Sequence, residues 1–286
     1  MLQEHQPSLN LTATCGTLEV SRSGYHAHLR KPQRTRRMQD AVLAREVREA
    51  FVSSRRTYGS PRLRQMLRRK GLCHGKNRIA RLMREAGLRV HQKRRFVPRT
   101  TVSDKNSMPA ANLLLKRAAP QRLNEVWLTD ITYVPTGEGW LYLAAEMDLC
   151  SRRILGWSTH ESLATLLPLQ ALERALQTRR TSVLRGLLHH SDRGCQYGST
   201  QFRRSLQLRG ITQSMSRTAN CYDNAAIESF WATLKAECFG STVAATHAQA
   251  TSMIFDYIET FYNPVRLHSS LGYQSPLTFE QTIKLN

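Results

Sequence analysis

Three acidic side chains stand where a carboxylate needs a reason. Asp130 lies in the middle of VWLTDITYV, among apolar and hydroxyl-bearing residues. Asp192 lies in HHSDRGCQYGS, residues 189–199, two positions before a glycine. Glu228 lies between Ile227 and Phe230 in DNAAIESFWATLKAE. A carboxylate inside a buried strand costs on the order of several kcal/mol unless it is paired or bound to a cation. If the three converge, each pair adds roughly 1–4 kcal/mol of repulsion at about 4 Å. A divalent cation removes that cost, and hard oxygen donors select Mg²⁺ or Mn²⁺ over zinc.

Taken singly, each has an ordinary use. Asp130 could pair with an arginine, Asp192 could close an Asx-turn, and Glu228 could be a solvated helix residue. The interval of 36 positions from Asp192 to Glu228 decides nothing, since Glu125–Glu161 and Asp223–Glu259 share it. The neighbours His189, His190 and Cys195 are metal-ligand types, but their order fits no zinc spacing. The histidines are expected to be packed or hydrogen-bonded, and Glu146 and Asp148 to serve a turn or a salt bridge. Arg266 and His268 could touch DNA or fix the tail to the core.

The elements that would carry the carboxylates are legible. NEVWLTDITYV is β-branched and aromatic on both faces, as in a central strand covered on both sides. WLYLAAEMDL and RILGWSTH complete an antiparallel meander. A helix within Leu166–Arg179 follows, then the short strand LRGLLHH, which delivers Asp192, with Gly194 letting the chain turn away. Next come a helix capped by Ser199 and closed by Gly210, the strand ITQSM, and a helix capped by Asp223 that bears Glu228. The last helix runs from Thr246 to Asn263-Pro264 on a stripe of Ala250, Met253, Ile254, Tyr257, Ile258 and Phe261. This order predicts an α/β fold, a mixed sheet with helices on both faces.

Charge divides the 286 residues unevenly. Residues 1–100 hold 24 of the 42 Lys/Arg and 6 of the 21 Asp/Glu, net +18, leaving +3 for the rest. A local excess of that size points to a polyanionic partner, nucleic acid first. Within it, Asp40 is placed to cap a helix over residues 41–52 with Val42, Val47 and Phe51 inward. Ser60 is placed to cap a second helix, with Pro61 at its first position, Leu63, Met66 and Leu67 inward, and Gly71 at its end. A third carries Ile79, Leu82, Met83 and Ala86 and ends at Gly87. Two short helices with a tight link read as a helix-turn-helix, and Lys76, Arg78, Arg81 and Arg84 lie off the apolar stripe, free to reach phosphates or base edges. The expected organisation is a basic N-terminal segment, 1–39; a small all-helical helix-turn-helix DNA-binding domain, 40–96; a linker, 97–122, with a short helix around Asn112–Arg117; a core, 123–240; and a C-terminal helix and tail, 241–286. No signal sequence and no apolar run of about 20 residues is visible. The six cysteines (15, 73, 150, 195, 221, 238) form no CxxC, which suits a cytoplasmic chain with reduced thiols.

In combination, WLTDITYV, HHSDRGCQYGS, DNAAIESFWATLKAE and FYNPVRLHSSLGYQSP resemble the DDE transposases of the insertion-sequence-three family, and more narrowly their second-frame (OrfB) products. The resemblance runs from about Ser21 to Pro276. It implies a ribonuclease H-like, integrase-type catalytic core and a D,D(35)E triad of Asp130, Asp192 and Glu228, the metal ligands for two Mg²⁺ ions, with Mn²⁺ as substitute. The family's basic residue two turns after the glutamate matches Lys235, placed to neutralise a phosphate. Cys195 stands where the family often has a small residue such as Ser. The implied activity is cleavage at the element's DNA ends and strand transfer into target DNA. The implied state is a homo-oligomer on nucleoid DNA, either alone or fused to or assembled with the first-frame (OrfA) product. A non-catalytic DNA-binding regulator and a structure-specific nuclease on the same fold are the alternatives.

Overall fold

The computed structural model describes residues 11–30, 33–90, 110–115, 117–180, 184–216 and 224–285. The chain forms two compact units, Met1–Arg89 and Val90–Asn286.

The first unit is helical: α1 Leu11–Thr17, α2 Arg22–Arg30, α3 Gln33–Ser53, α4 Ser60–Arg69 and α5 Lys76–Glu85. Its core is the stripe Leu43, Val47, Ala50 and Phe51 of α3 against Leu63 and Leu67 of α4 and Ile79, Leu82 and Met83 of α5, all buried. Two expectations shift by the same cause, a capping residue placed too late in the chain. α3 runs straight through Asp40, which is therefore no cap, and Val42 points outward while Leu43 takes the inward place. α4 is preceded by Gly59 in extended geometry, Ser60 is its first helical residue, and its N-terminus has no side-chain cap. Gly71 and Gly87 do end their helices, at φ +80 and +66.

The second unit contains β1 Val126–Thr136, β2 Gly139–Asp148, β3 Ile154–His160, α6 Leu166–Arg179, β4 Leu188–Ser191, α7 Cys195–Gly198, α8 Thr200–Leu208, β5 Thr212–Met215, α9 Ala225–Leu234, α10 His247–Phe255 and α11 Pro276–Leu285. α9 and α10 each continue as π-helical turns, Lys235–Phe239 and Asp256–Tyr262. The sheet order is β3-β2-β1-β4-β5. β1–β2 and β2–β3 are antiparallel, while β1–β4 and β4–β5 are parallel. Ser199 caps α8 as expected, accepting from Phe202 N, and Thr246, expected as the start of its helix, caps α10, accepting from Gln249 N. The expected helix around Asn112–Arg117 is instead an Asx-turn, with Asn112 Oδ1 accepting from the Leu114 and Leu115 amides. Leu113 N donates to Ser214 Oγ of β5, so this stretch is held at the sheet edge.

Polar ties fix the C-terminal helices to the sheet. Asp148 accepts from the amides of Asn124, Cys150 and Ser151 and from Arg179, which also grips Glu280 of α11. Burial holds the Asp148 carboxyl above its ordinary range, and Arg179 only partly offsets that. Arg266 forks onto Glu237 at 2.6 and 2.7 Å, which settles its role: it fixes the tail to the core. α6 lies so close to β3 that a Cβ on Gly156 would meet Ala171 O at 2.2 Å and Ala175 N at 2.4 Å. Both are backbone atoms, so the helix itself would have to move. Gly156→Ala is therefore expected to lower stability by about 2–3 kcal/mol in a urea titration, and an unchanged midpoint would contradict this packing.

Candidate active site

The sheet delivers two carboxylates side by side. β1 carries Asp130 two residues past its last pairing with β4, which ends at Ser191, so β1 is unpaired on that side where Asp192 emerges. Asp192 Oδ1 accepts from the Gly194 amide at 2.9 Å, an Asx-turn of the kind its sequence position suggested. Gly194 has an ordinary φ of −56, so its use is space and not left-handed freedom. A Cβ there would lie 3.0 Å from Asp192 Oδ1. Cys195 is exposed beside this turn.

α9 brings the third. Its N-terminal residue Asn224 is buried, and its Nδ2 lies 3.4 Å from the Thr129 carbonyl of β1. One turn later Glu228 faces outward, exposed. Trp231 returns to the sheet, its indole N–H donating to Asp130 Oδ2 at 3.0 Å. The expected cap Asp223 lies outside the described residues. Lys235 begins the π-helical turn, half-buried, within electrostatic reach of Asp130. Burial lowers its pKa, and the Asp130 charge opposes that.

Among the described residues no arginine pairs with Asp130. Burial pushes its carboxyl up to about 7, and Asp192 adds repulsion. The Ile131 amide and the Trp231 N–H pull the other way, and Glu228 contributes a weaker repulsion. Burial likewise raises Glu228. The three carboxylates thus share one electrostatic neighbourhood. Among the described residues, however, no three His, Cys, Asp or Glu side chains are gathered closely enough to hold a metal ion, so the site is not a closed coordination sphere. The donor set nonetheless suits a hard divalent cation: oxygen only, with like charges that a cation would relieve.

The other predicted residues fall where bland roles put them. His189 Nε2 lies 3.0 Å from Glu146, both fully buried, and His190 Nδ1 lies 2.9 Å from Ser214 Oγ. On α5, Arg78 and Arg81 both hold Asp40 of α3 at 2.6–2.8 Å. Arg81 also pairs with Glu85. They form a clamp between α3 and α5, while Lys76 and Arg84 are exposed. Sequence reasoning missed Trp231 and the Tyr197 hydroxyl, 3.2 Å from Thr129 Oγ1. The available signal was the three-residue step from Glu228 to Trp231, one helical turn.

Residues 120–221 match the integrase core domain family, residues 209–276 a second integrase core domain model, and residues 38–96 an HTH-like domain. The chain is 36% identical over 282 residues to the transposase InsF for insertion sequence IS3A of Escherichia coli K12, covering 98% of this chain and 96% of that one. It is 42% identical over 268 residues to an uncharacterized 31 kDa protein of insertion element IS600 from Shigella sonnei, covering 93% and 97%. The chain belongs to the insertion-sequence-three family of transposases.

The transposase has the ribonuclease H-like fold of integrase catalytic cores, preceded by an HTH-like helical unit, and its substrate is DNA. Among solved structures it is similar to a chain of the simian T-cell lymphotropic virus intasome in complex with PP2A regulatory subunit B56 gamma, at 11% identity and TM-score 0.47, covering 76% of this chain and 70% of that one. Among the described residues no helix is long and apolar enough to cross a membrane.

The raised pKa of Asp130 has a thermodynamic sign. Between 3.8 and about 7 the folded chain keeps a proton that the unfolded chain has released, so stability falls as pH rises through that window and stays low above it. Asn cannot ionise and still accepts from Trp231. In metal-free buffer Asp130→Asn is therefore expected to stabilise the transposase by roughly 2 kcal/mol at pH 8 and by much less at pH 4. Equal effects at both pH values in thermal melts would contradict the burial assigned to this carboxylate.

Proposed function

We propose that Asp130, Asp192 and Glu228 are the catalytic carboxylates of this transposase and the ligands of its divalent cations, two Mg²⁺ ions with Mn²⁺ as substitute. The observation that carries this is the mutual repulsion of Asp130, Asp192 and Glu228, centred on a carboxyl that burial already holds high. When bound, the cations supply an activated water or 3′-hydroxyl and stabilisation of the leaving 3′-oxygen.

The chain's own residues do the positioning. β1 and the β4 end fix the two aspartates, and the Trp231 N–H holds Asp130 Oδ2. An indole can only donate, so it favours the ionised, ligating form of Asp130. Trp231 also sets the rotation of α9, and with it the approach of Glu228. Completing the coordination sphere requires Glu228 to draw in toward the aspartates. Lys235 stands seven residues after Glu228 on the same helix face, where its ammonium neutralises a DNA phosphate. The basic helical unit engages DNA through Lys76, Arg84 and the exposed arginines of α4, with Arg78 and Arg81 holding the unit's shape. The reaction is end cleavage followed by attack of the freed 3′-hydroxyl on target DNA, carried out by a multimer on nucleoid DNA in the cytoplasm, with the first-frame (OrfA) product fused or assembled.

Labelled element-end DNA incubated with the full chain and Mg²⁺ is expected to give nicked and joined products. Asp192→Asn is expected to abolish both, by a factor of about 10³ or more, while DNA affinity in a gel shift stays the same. Nicks without joining would indicate a nuclease, and cleavage surviving in the variant would remove Asp192 from the site. Trp231→Phe keeps the ring and loses only the donor. It is expected to cut the rate about tenfold and to raise the Mg²⁺ concentration for half-maximal activity, with DNA binding unaltered. An unchanged Mg²⁺ dependence would reduce Trp231 to packing.

A further inference from the structure

α3 has an inner apolar stripe and an outer row in which apolar and charged residues mix. The inner stripe packs on α4 and α5. On the opposite side Met38, Val42, Arg45, Glu49 and Val52 recur at steps of four, three, four and three, the spacing of a coiled-coil seam. All five are exposed, Met38 at 67%, Val42 at 57% and Val52 at 53%. A surface helix ordinarily carries one apolar face, so exposed Met38, Val42 and Val52 at seam spacing mark a second face that no described residue covers.

The charges in the row say what fills it. Arg45 and Glu49 occupy its centre, one turn apart and paired at 3.9 Å. A parallel copy of α3 would set Arg45 against Arg45 and Glu49 against Glu49. An antiparallel copy centred on residue 47 sets Arg45 against Glu49 twice and Val42 against Val52 twice. Each pair satisfies the seam rule that a first-type position meets a second-type one, and the row is complementary to itself, as a two-fold contact requires.

We propose that the outer face of α3 is an antiparallel self-association seam that pairs two copies of the transposase. It deepens the expected multimer by naming one contact, and it rests on the geometry of α3 rather than on the carboxylate chemistry. The seam spans 14 residues of rise, about 21 Å, and buries a few hundred Å² per copy, below the roughly 800 Å² per partner of a standard stable interface. Pairing is therefore weak between free chains and becomes effective when two copies are held on one DNA assembly.

Sedimentation equilibrium of the full chain up to about 200 µM, a range chosen for a weak contact, tests it with two charge variants. Wild type is expected to self-associate with a micromolar dissociation constant. Arg45→Glu and Glu49→Arg alone should each weaken that at least tenfold, because each places like charges across the seam twice. An equimolar mixture of the two, or the double variant R45E/E49R in one chain, should restore it. Melting curves of the exposed-site variants should match wild type, excluding misfolding. A wild type that stays monomeric, association indifferent to Arg45→Glu, or no recovery in the mixture would each overturn the seam. Asp192→Asn should associate as wild type does, so loss of catalysis and loss of pairing are separate outcomes.

Discussion

The carboxylate of Asp130 is held in the sheet where partial burial disfavours its charge and where Asp192 repels it. Burial alone would favour replacing it with an apolar residue, and no arginine among the described residues neutralises it. What it offers is a donor, the Trp231 indole, which stabilises the charge without cancelling it. The remaining negative potential is what a divalent cation would be drawn to. The arrangement trades stability for a site, the usual direction of that trade in enzymes.

The rest of the catalytic unit follows from keeping that carboxylate in place. β1 is central, paired antiparallel to β2 along its whole length and parallel to β4 only at Val126–Leu128. The short β4 contact leaves the edge beyond Leu128 open, so Asp192 arrives next to Asp130 instead of beneath a covering strand. Gly156 lets α6 lie directly on β3 and seal one face. α9 seals the region around Asp130 with Asn224 and Trp231, while Glu228 between them stays toward solvent. The buried pairs Arg266–Glu237 and Arg179–Glu280 then lock the C-terminal helices behind α9.

Much of this was legible in the residues. The strands around Asp130, the cap Ser199, the helix start at Thr246, and the stripe from Ala250 to Phe261 all follow from local patterning. What was not legible depends on partners distant in sequence. Asp40 has the residue type and position of an N-cap, and only the arrival of Arg78 and Arg81, 38 and 41 residues later, gives it another use. The same event ties both arginines to α3. Trp231 reads as one more apolar residue on a buried helix, because the direction of an indole N–H is set by packing and not by spacing. Glycine 194 was read for flexibility, whereas its value is the space it leaves for the Asp192 carboxylate.

The most direct test of a carboxylate cluster built for a divalent cation is the melting temperature of the full chain at pH 8 as Mg²⁺ is raised from zero to millimolar. A ligand that binds only the folded state raises stability with the logarithm of its concentration once above its dissociation constant. The melting temperature is predicted to rise with Mg²⁺ in the wild type and to stay flat in Asp130→Asn and Asp192→Asn. A flat wild-type response, or a rise of equal size in both variants, would contradict the assignment of these carboxylates to a cation site.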